Sequence, residues 1–252
     1  MTPSAGARDD PGFRTKGACR PAVKICVLIP AFNEARAIGP LVTDVSRRGF
    51  DTVVVDDGSS DGTADIARAA GATVLINPVN GGKGFSLRRG FDYAVEKGYD
   101  AAITVDGDGQ HSPEDLDAFV GLFEKKRPDI ICGNRMPDTR QMPLIRFLTN
   151  KVMSGLLSWV CHQKIADSQC GYRLIRTEVL RNVQLSCSAF ESESEILIEA
   201  CRRGYRVVSV PIRTIYKDEQ SKIRPLRDTV RFIAYILKAR RPALVAEGGK
   251  PG

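Results

Sequence analysis

TVVVDDGSSDGTADIARAAGATVLI, residues 52–76, sets an apolar run, a polar loop, an alanine-rich stretch and a second apolar run in immediate succession. Thr52 to Val55 is β-branched throughout, the composition of a buried strand. Gly62 to Ala70 has the small, helix-favouring residues of a short helix, and Thr73 to Ile76 is again a strand. Two strands joined by a helix at this spacing form a parallel unit. The alternation extends both ways. Upstream, Val23 to Ile29 is predicted as a strand and Glu34 to Arg48 as a helix. Downstream come a helix from Gly84 to Lys97, a strand from Ala101 to Val105, a helix from Pro113 to Lys126 capped by Ser112, and a strand from Asp129 to Cys132. After Gly133 the pattern loosens, with helices expected over Leu144–Cys161, Ser194–Arg203 and Arg227–Ala239, and extended segments over Tyr172–Ile175 and Arg206–Pro211. The fold class is α/β, with a mostly parallel sheet flanked by helices.

The 252 residues suit one large domain, and 42% hydrophobic with 27% charged residues is the composition of a folded protein. Residues 1–23, rich in Gly, Pro, Asp and Arg without periodicity, are expected to be a disordered arm; 24–241 a single domain, with 212–241 a basic lid and amphipathic helix; and 242–252 a flexible tail. No uncharged apolar run approaches the ~20 residues that span a bilayer, and the first twenty residues lack the apolar centre of a signal peptide, so a cytoplasmic location is expected. Seven cysteines, an odd number with no C-x-x-C pair, read as free thiols. The net charge of +7 is concentrated at the ends: residues 213–241 hold nine Lys or Arg against three carboxylates, and the body is slightly acidic. With no nucleic-acid-binding signature in that body, nucleic acid is a poor partner; a basic C-terminal segment suits anionic lipid or a diphosphate.

The polar clusters follow strands, which places their chemistry at the carboxyl ends of the sheet. Pro30-Ala31-Phe32-Asn33-Glu34 offers an aromatic ring and a carboxylate for a base and its ribose; the alternative is a turn with Asn33 capping the next helix. In Asp56-Asp57-Gly58-Ser59-Ser60-Asp61, Asp56 is assigned to a ligand and Asp57 to a cap or turn. Asn80-Gly81-Gly82-Lys83-Gly84 is not a Walker loop, because Asn77 and Gly84 stand where that motif needs Gly and Ser or Thr. Its glycines still allow close backbone approach to a ligand, and Lys83 can meet negative charge. Asp106-Gly107-Asp108-Gly109-Gln110-His111 spaces carboxylates as hard ligands for Mg²⁺ or Mn²⁺ bridging a diphosphate; a solvated turn is the alternative, and an EF-hand is excluded. His111, without a partner pattern, reads as structural rather than as a zinc ligand.

Taken in order, IPAFNE (29–34), VDDGSSDGT (55–63), NGGKG (80–84), DGDGQH (106–111), GNR (133–135), DSQCGYR (167–173), FESESE (190–195) and SKIRP (221–225) resemble glycosyltransferase family 2, the GT-A branch that includes dolichyl-phosphate mannose synthases and bacterial polyprenyl-phosphate glycosyltransferases. The resemblance runs from Ile25 to about Ala239. It implies a Rossmann-like nucleotide-sugar-binding fold in which Pro30, Phe32, Glu34 and Asp56 hold the nucleoside, with Phe32 where Tyr is common. Asp106, Asp108 and Gln110 would surround the metal, Arg135, Ser221 and Lys222 would approach phosphates, and Asp167, Arg173 and Glu193 would line the sugar and acceptor side. Lys83 joins the donor site. Many relatives carry C-terminal membrane helices, and this sequence shows no such run.

The chemistry so implied is metal-dependent, inverting transfer from GDP-mannose or a UDP-hexose to a polyprenyl phosphate, with the protein peripheral at the inner membrane face. A divalent ion held by Asp108, with Asp106 nearby, together with Lys222 or Arg135 would stabilise the leaving diphosphate. An ionised lipid phosphate needs no strong base, whereas a hydroxyl acceptor on a glycan or glycolipid would call on Asp167 or Glu193. A nucleotidyltransferase would show a Gly-rich loop that is absent around Ala31, and product release separates an enzyme from a nucleotide-sugar sensor.

Overall fold

The computed structural model describes residues 23–140, 142–183 and 192–213. All but residue 23 of the expected arm (1–23), all but residues 212 and 213 of the expected lid and helix (212–241), the tail, and with them Ser221 and Lys222, lie outside the described residues. In chain order the elements are β1 (Ile25–Ala31), α1 (Ala35–Arg47), β2 (Asp51–Asp56), α2 (Thr63–Ala69), β3 (Thr73–Ile76), α3 (Lys83–Glu96) and β4 (Ala101–Thr104). There follow α4 (Leu116–Lys126), β5 (Ile130–Asn134), α5 (Leu144–Cys161), β6 (Arg173–Arg176), α6 (Thr177–Asn182), α7 (Ser192–Arg202) and β7 (Val207–Pro211).

The strands form one sheet in the order β3-β2-β1-β4-β6-β5-β7. All neighbours are parallel except at β6, which runs antiparallel to both β4 and β5. Alternation along each strand feeds two cores. Val27, Ile29, Val54 and Ile103 face α1, α2 and α4, while Cys26, Leu28, Val53 and Ala102 face α3, α5, α6 and α7. The chain crosses from β3 to β4 past β1 and β2, so the order reverses between β1 and β4. Ligands bind at such a point in open α/β sheets.

Several boundaries depart from the sequence reading for local reasons. β1 begins two residues later than expected and continues through Pro30 and Ala31, which pair with Val55 and Asp56. Its ladder to β4 stops at Leu28–Thr104, so the missing N–H of Pro30 interrupts no bond on that side. The helix expected from Pro113 opens instead as a 3₁₀ turn over Pro113–Asp115, with Ser112 Oγ accepting from the Glu114 N–H at 3.3 Å. Asn33 does not cap α1. It sits at φ 56° and its Oδ1 accepts from Ser60 N, while the first N–H groups of α1 are met from the next loop: Thr63 Oγ1 accepts from Glu34 N and Asp61 Oδ2 from Ala35 N. The six residues of α6, which follow β6 without a loop, were not anticipated. The five described cysteines Cys26, Cys132, Cys161, Cys170 and Cys201 are free thiols, as expected.

Candidate functional site

Because β1 to β5 are parallel, the loops after them gather at one end of the sheet, and antiparallel β6 enters from that same end. The loop after β2 is built around Asp57. Its carboxylate is buried and accepts from Asn77 Nδ2 at 2.7 Å, Gly81 N at 3.0 Å and Gly82 N at 2.8 Å. Burial pushes this carboxyl up, but the bonds from Asn77, Gly81, Gly82 and Ser86 outweigh it and hold the group below its ordinary value. Asp57 thus ties the glycine loop before α3 to the end of β2, a turn role carried across the fold. Its neighbour Asp56 is equally buried; Oδ2 accepts from Ser59 N at 3.2 Å and Oδ1 has no partner. An open cleft of about 430 Å³ borders Asp56, with Ser59, Thr63, Ile76 and Asn77 among its walls. Phe32, at the end of β1, is 40% exposed.

With the glycine loop fixed, Lys83 at the start of α3 projects between two carboxylates. Its Nζ stands 2.5 Å from Asp106 Oδ1, on the loop after β4, and 2.5 Å from Glu193 Oε1, on α7. Burial alone would lower the lysine, but Asp106 and then Glu193 raise its pKa well above the ordinary value. Asp106 is pushed far down despite burial, by Lys83 first and then by His111, whose Nε2 lies 3.7 Å from Oδ2. Asp108 goes the other way: burial and the charge of Asp106 raise it, while its Oδ1 accepts from Gln110 N at 2.9 Å. Gly171, two residues before β6, closes the cluster. A Cβ there would lie 2.8 Å and 2.9 Å from the two oxygens of Asp106 and 3.0 Å from Lys83 Nζ.

The donor set fits a divalent ion. Two carboxylates on one loop, one of them raised by the other's charge, are a place that gains from a cation, and Mg²⁺ is commonly held by one or two carboxylates plus substrate phosphates. Among the described residues no three His, Cys, Asp or Glu groups converge as a complete cage.

Arg135, after β5, makes a forked pair with Asp167: Nε to Oδ2 at 2.7 Å and a terminal nitrogen to Oδ1 at 2.9 Å. The fully buried Asp167 also accepts from Arg135 N, Asn150 Nδ2 and Gln169 N. Burial would raise its carboxyl, but Arg135 and Asn150 hold it below the ordinary range. Five donors occupy a group with about four lone-pair positions, which leaves none to take a substrate proton. The base role expected of Asp167 toward a hydroxyl acceptor therefore gives way to holding Arg135. Arg173 is likewise buried and gives its donors to the carbonyls of Cys170, Ser168 and Glu193. It fixes the start of α7, and hence Glu193, rather than facing a ligand. His111 is buried against Tyr172, ring centroids 5.2 Å apart.

Sequence reasoning missed Asn150 and Ser154 on α5. Asn150 donates to Asp167, and Ser154 bonds Ser168, so together they seat the 167–170 loop. The available signal was polarity on the buried face of an otherwise apolar helix, shared with Met153, Leu157 and Cys161.

Residues 26–184 match the family described as Glycosyl transferase family 2. The chain is 30% identical over 223 residues to the polyprenol monophosphomannose synthase of Mycolicibacterium smegmatis, covering 80% of this chain and 83% of that one. It is 28% identical over 217 residues to the UDP-N-acetylglucosamine–dolichyl-phosphate N-acetylglucosaminyltransferase of Methanococcus voltae, covering 77% and 86%. Its fold is similar to that of glucosyl-3-phosphoglycerate synthase from Mycobacterium tuberculosis, solved with Mn²⁺, UDP and phosphoglyceric acid: TM-score 0.68 at 20% identity, covering 86% of this chain and 78% of that one. With a GT-A sheet whose strand ends carry the charged loops, and relatives that share most of its length, the chain belongs to glycosyl transferase family 2 and is a glycosyltransferase.

Proposed function

We propose that the enzyme moves a sugar from a nucleotide-diphosphate sugar, GDP-mannose or a UDP-hexose, to a polyprenyl phosphate, working peripherally at the cytoplasmic face of a membrane. The observation that carries this reading is the convergence of Lys83, Asp106 and Glu193 from three separate elements. A cation clamped between two carboxylates is a site that phosphate groups and a divalent ion can rearrange.

In this reading Phe32 and Pro30 lie along the base, Glu34 meets the ribose, and Asp56 offers its unpaired Oδ1 to a base N–H. Asp106, Asp108 and Gln110 would hold Mg²⁺ or Mn²⁺, whose positive charge would make a diphosphate a better leaving group. Lys83 and Arg135 add fixed charge nearby, with Arg135 kept rigid by Asp167. Ser221 and Lys222 are assigned to the same phosphates. Glu193, oriented by Arg173 and Lys83, borders the sugar. Displacement inverts the anomeric carbon. A phosphate monoester acceptor is ionised at neutral pH, so the reaction needs no residue to take its proton. The saturated hydrogen bonding of Asp167 removes one of the two candidate bases for a hydroxyl acceptor and leaves Glu193 as the other.

A donor and acceptor panel with purified protein, Mn²⁺ or Mg²⁺, and undecaprenyl or dolichyl phosphate, scored for glycolipid by mass, tests the assignment. Asp108→Asn is expected to lower transfer at least about a hundredfold with the fold intact. Wild-type turnover of that variant at limiting Mn²⁺ removes the metal assignment, and product only with hydroxyl acceptors replaces the lipid phosphate with a glycan or glycolipid.

A further inference from the structure

Ten large apolar side chains stand exposed among the described residues, and half of them, Leu144, Ile145, Leu148, Val152 and Trp159, lie on α5 at 51–71% exposure. At 3.6 residues per turn these five fall within about 100° of arc, opposite the buried face of Asn150, Met153, Ser154, Leu157 and Cys161. The stripe is about 22 Å long. An apolar stripe of that length, on a helix whose inner face is already packed, is a surface that calls for an occupant.

The charge around the stripe says which occupant. Residues 141–166 contain Arg146, Lys151 and Lys164 and no Asp or Glu, while Arg140 just before them is paired with Asp138. Lys151, within α5, and Lys164, just beyond it, are exposed. A second copy of the chain meeting this face about a two-fold axis would bring these like charges together. An anionic bilayer surface takes both features, apolar side chains entering the headgroup boundary and cations meeting lipid phosphates. No described helix is long and apolar enough to cross a membrane, so contact through α5 would be a surface one. Position agrees with this. The first turn of α5 follows the loop that carries Arg135, and Asn150 on its inner face binds Asp167 beneath that arginine.

We infer that the outer face of α5 is a membrane-docking surface that seats this end of the sheet, with its charged loops, against an anionic bilayer. The inference rests on the lipid-phosphate reading above and adds to it the surface by which the protein meets the lipid.

Trp159 is the chain's single tryptophan and lies on the stripe, so its emission reports directly on docking. On adding phosphatidylglycerol–phosphatidylcholine vesicles at low salt, its emission is expected to move to the blue and to be quenched by acyl-brominated lipid. Leu148→Ser with Val152→Ser, both at exposed positions, is expected to weaken vesicle partition at least about tenfold. Turnover of a short water-soluble polyprenyl phosphate by that variant should stay within about twofold of wild type. Absence of vesicle binding at low salt overturns the inference. So does vesicle binding with unchanged Trp159 emission and no bromine quenching, or a self-associated form that the same two substitutions dissolve. If no polyprenyl phosphate accepts a sugar in water or in vesicles, the acceptor reading fails, while quenching of Trp159 still decides the surface.

Discussion

Gly171 has no room for a methyl group. Its Cα faces the carboxylate of Asp106 and the ammonium of Lys83, and a Cβ would come within 3 Å of both oxygens. Asp106 is short and held by Lys83, so it has little freedom to withdraw. Gly171→Ala is therefore expected to cut transfer at least tenfold by displacing the Lys83–Asp106 pair, while circular dichroism and the cooperative unfolding transition stay near wild type. Normal activity in that variant would mean that the pair can move without consequence. Conformational demand at Gly171 is not the reason, since its φ is not positive; the demand is close approach.

At the scale of elements, the loop between β3 and α3 depends on a residue outside it. Asp57 accepts two backbone N–H groups and one amide from that loop; Gly82 N also reaches Asn80 Oδ1 and Asn77 Nδ2 also reaches Ser86 Oγ, whereas Gly81 N has Asp57 as its acceptor. Asp57→Ala would leave Gly81 N unpaired and the other two donors with one acceptor each, at a cost of about 1–3 kcal/mol, lowering Tm by several degrees and weakening donor binding through the misplaced Lys83. The folded-state pKa of Asp57 is depressed, so its contribution is fully present above the ordinary carboxylate value near 4 and is lost as pH falls through the lower folded value. Below pH 4 the Tm of the wild type should fall more steeply than that of Asp57→Asn. Parallel acid limbs for the two proteins would show that the charge on Asp57 contributes nothing. The start of α1 follows the same rule of support from a distance, its N–H groups being met by Asp61 and Thr63 rather than by Asn33 beside them.

At the scale of the whole molecule, the reversal of strand order between β1 and β4 leaves the loops after β1, β2 and β4 at one end of the sheet, and a ligand that bridges them stabilises the fold by mass action. UDP or GDP with Mn²⁺ at about a hundred times its dissociation constant should raise Tm by roughly 5–10 °C, and the nucleotide with the larger shift names the base. Shifts no greater than that of ADP with Mn²⁺ would count against the nucleotide site. The alternation of strands and helices up to β5, and the position of each charged loop after a strand, were legible in the sequence because both follow from local periodicity and from the residues that break it. The family was legible because its loops keep their residue types in order. The antiparallel insertion of β6 between β4 and β5 was not, because an extended segment carries no mark of its partner's direction. Nor were the pairings of Lys83 with Glu193, Arg135 with Asp167 and Asp57 with the glycine loop, since each joins residues 20 or more positions apart that meet only when the sheet is assembled. The sequence by itself determined which elements form and which residue types stand at their ends. Tertiary structure alone decided which of those charges would spend their lone pairs on each other and which would remain open to a ligand, because that depends on distances the chain acquires only by folding.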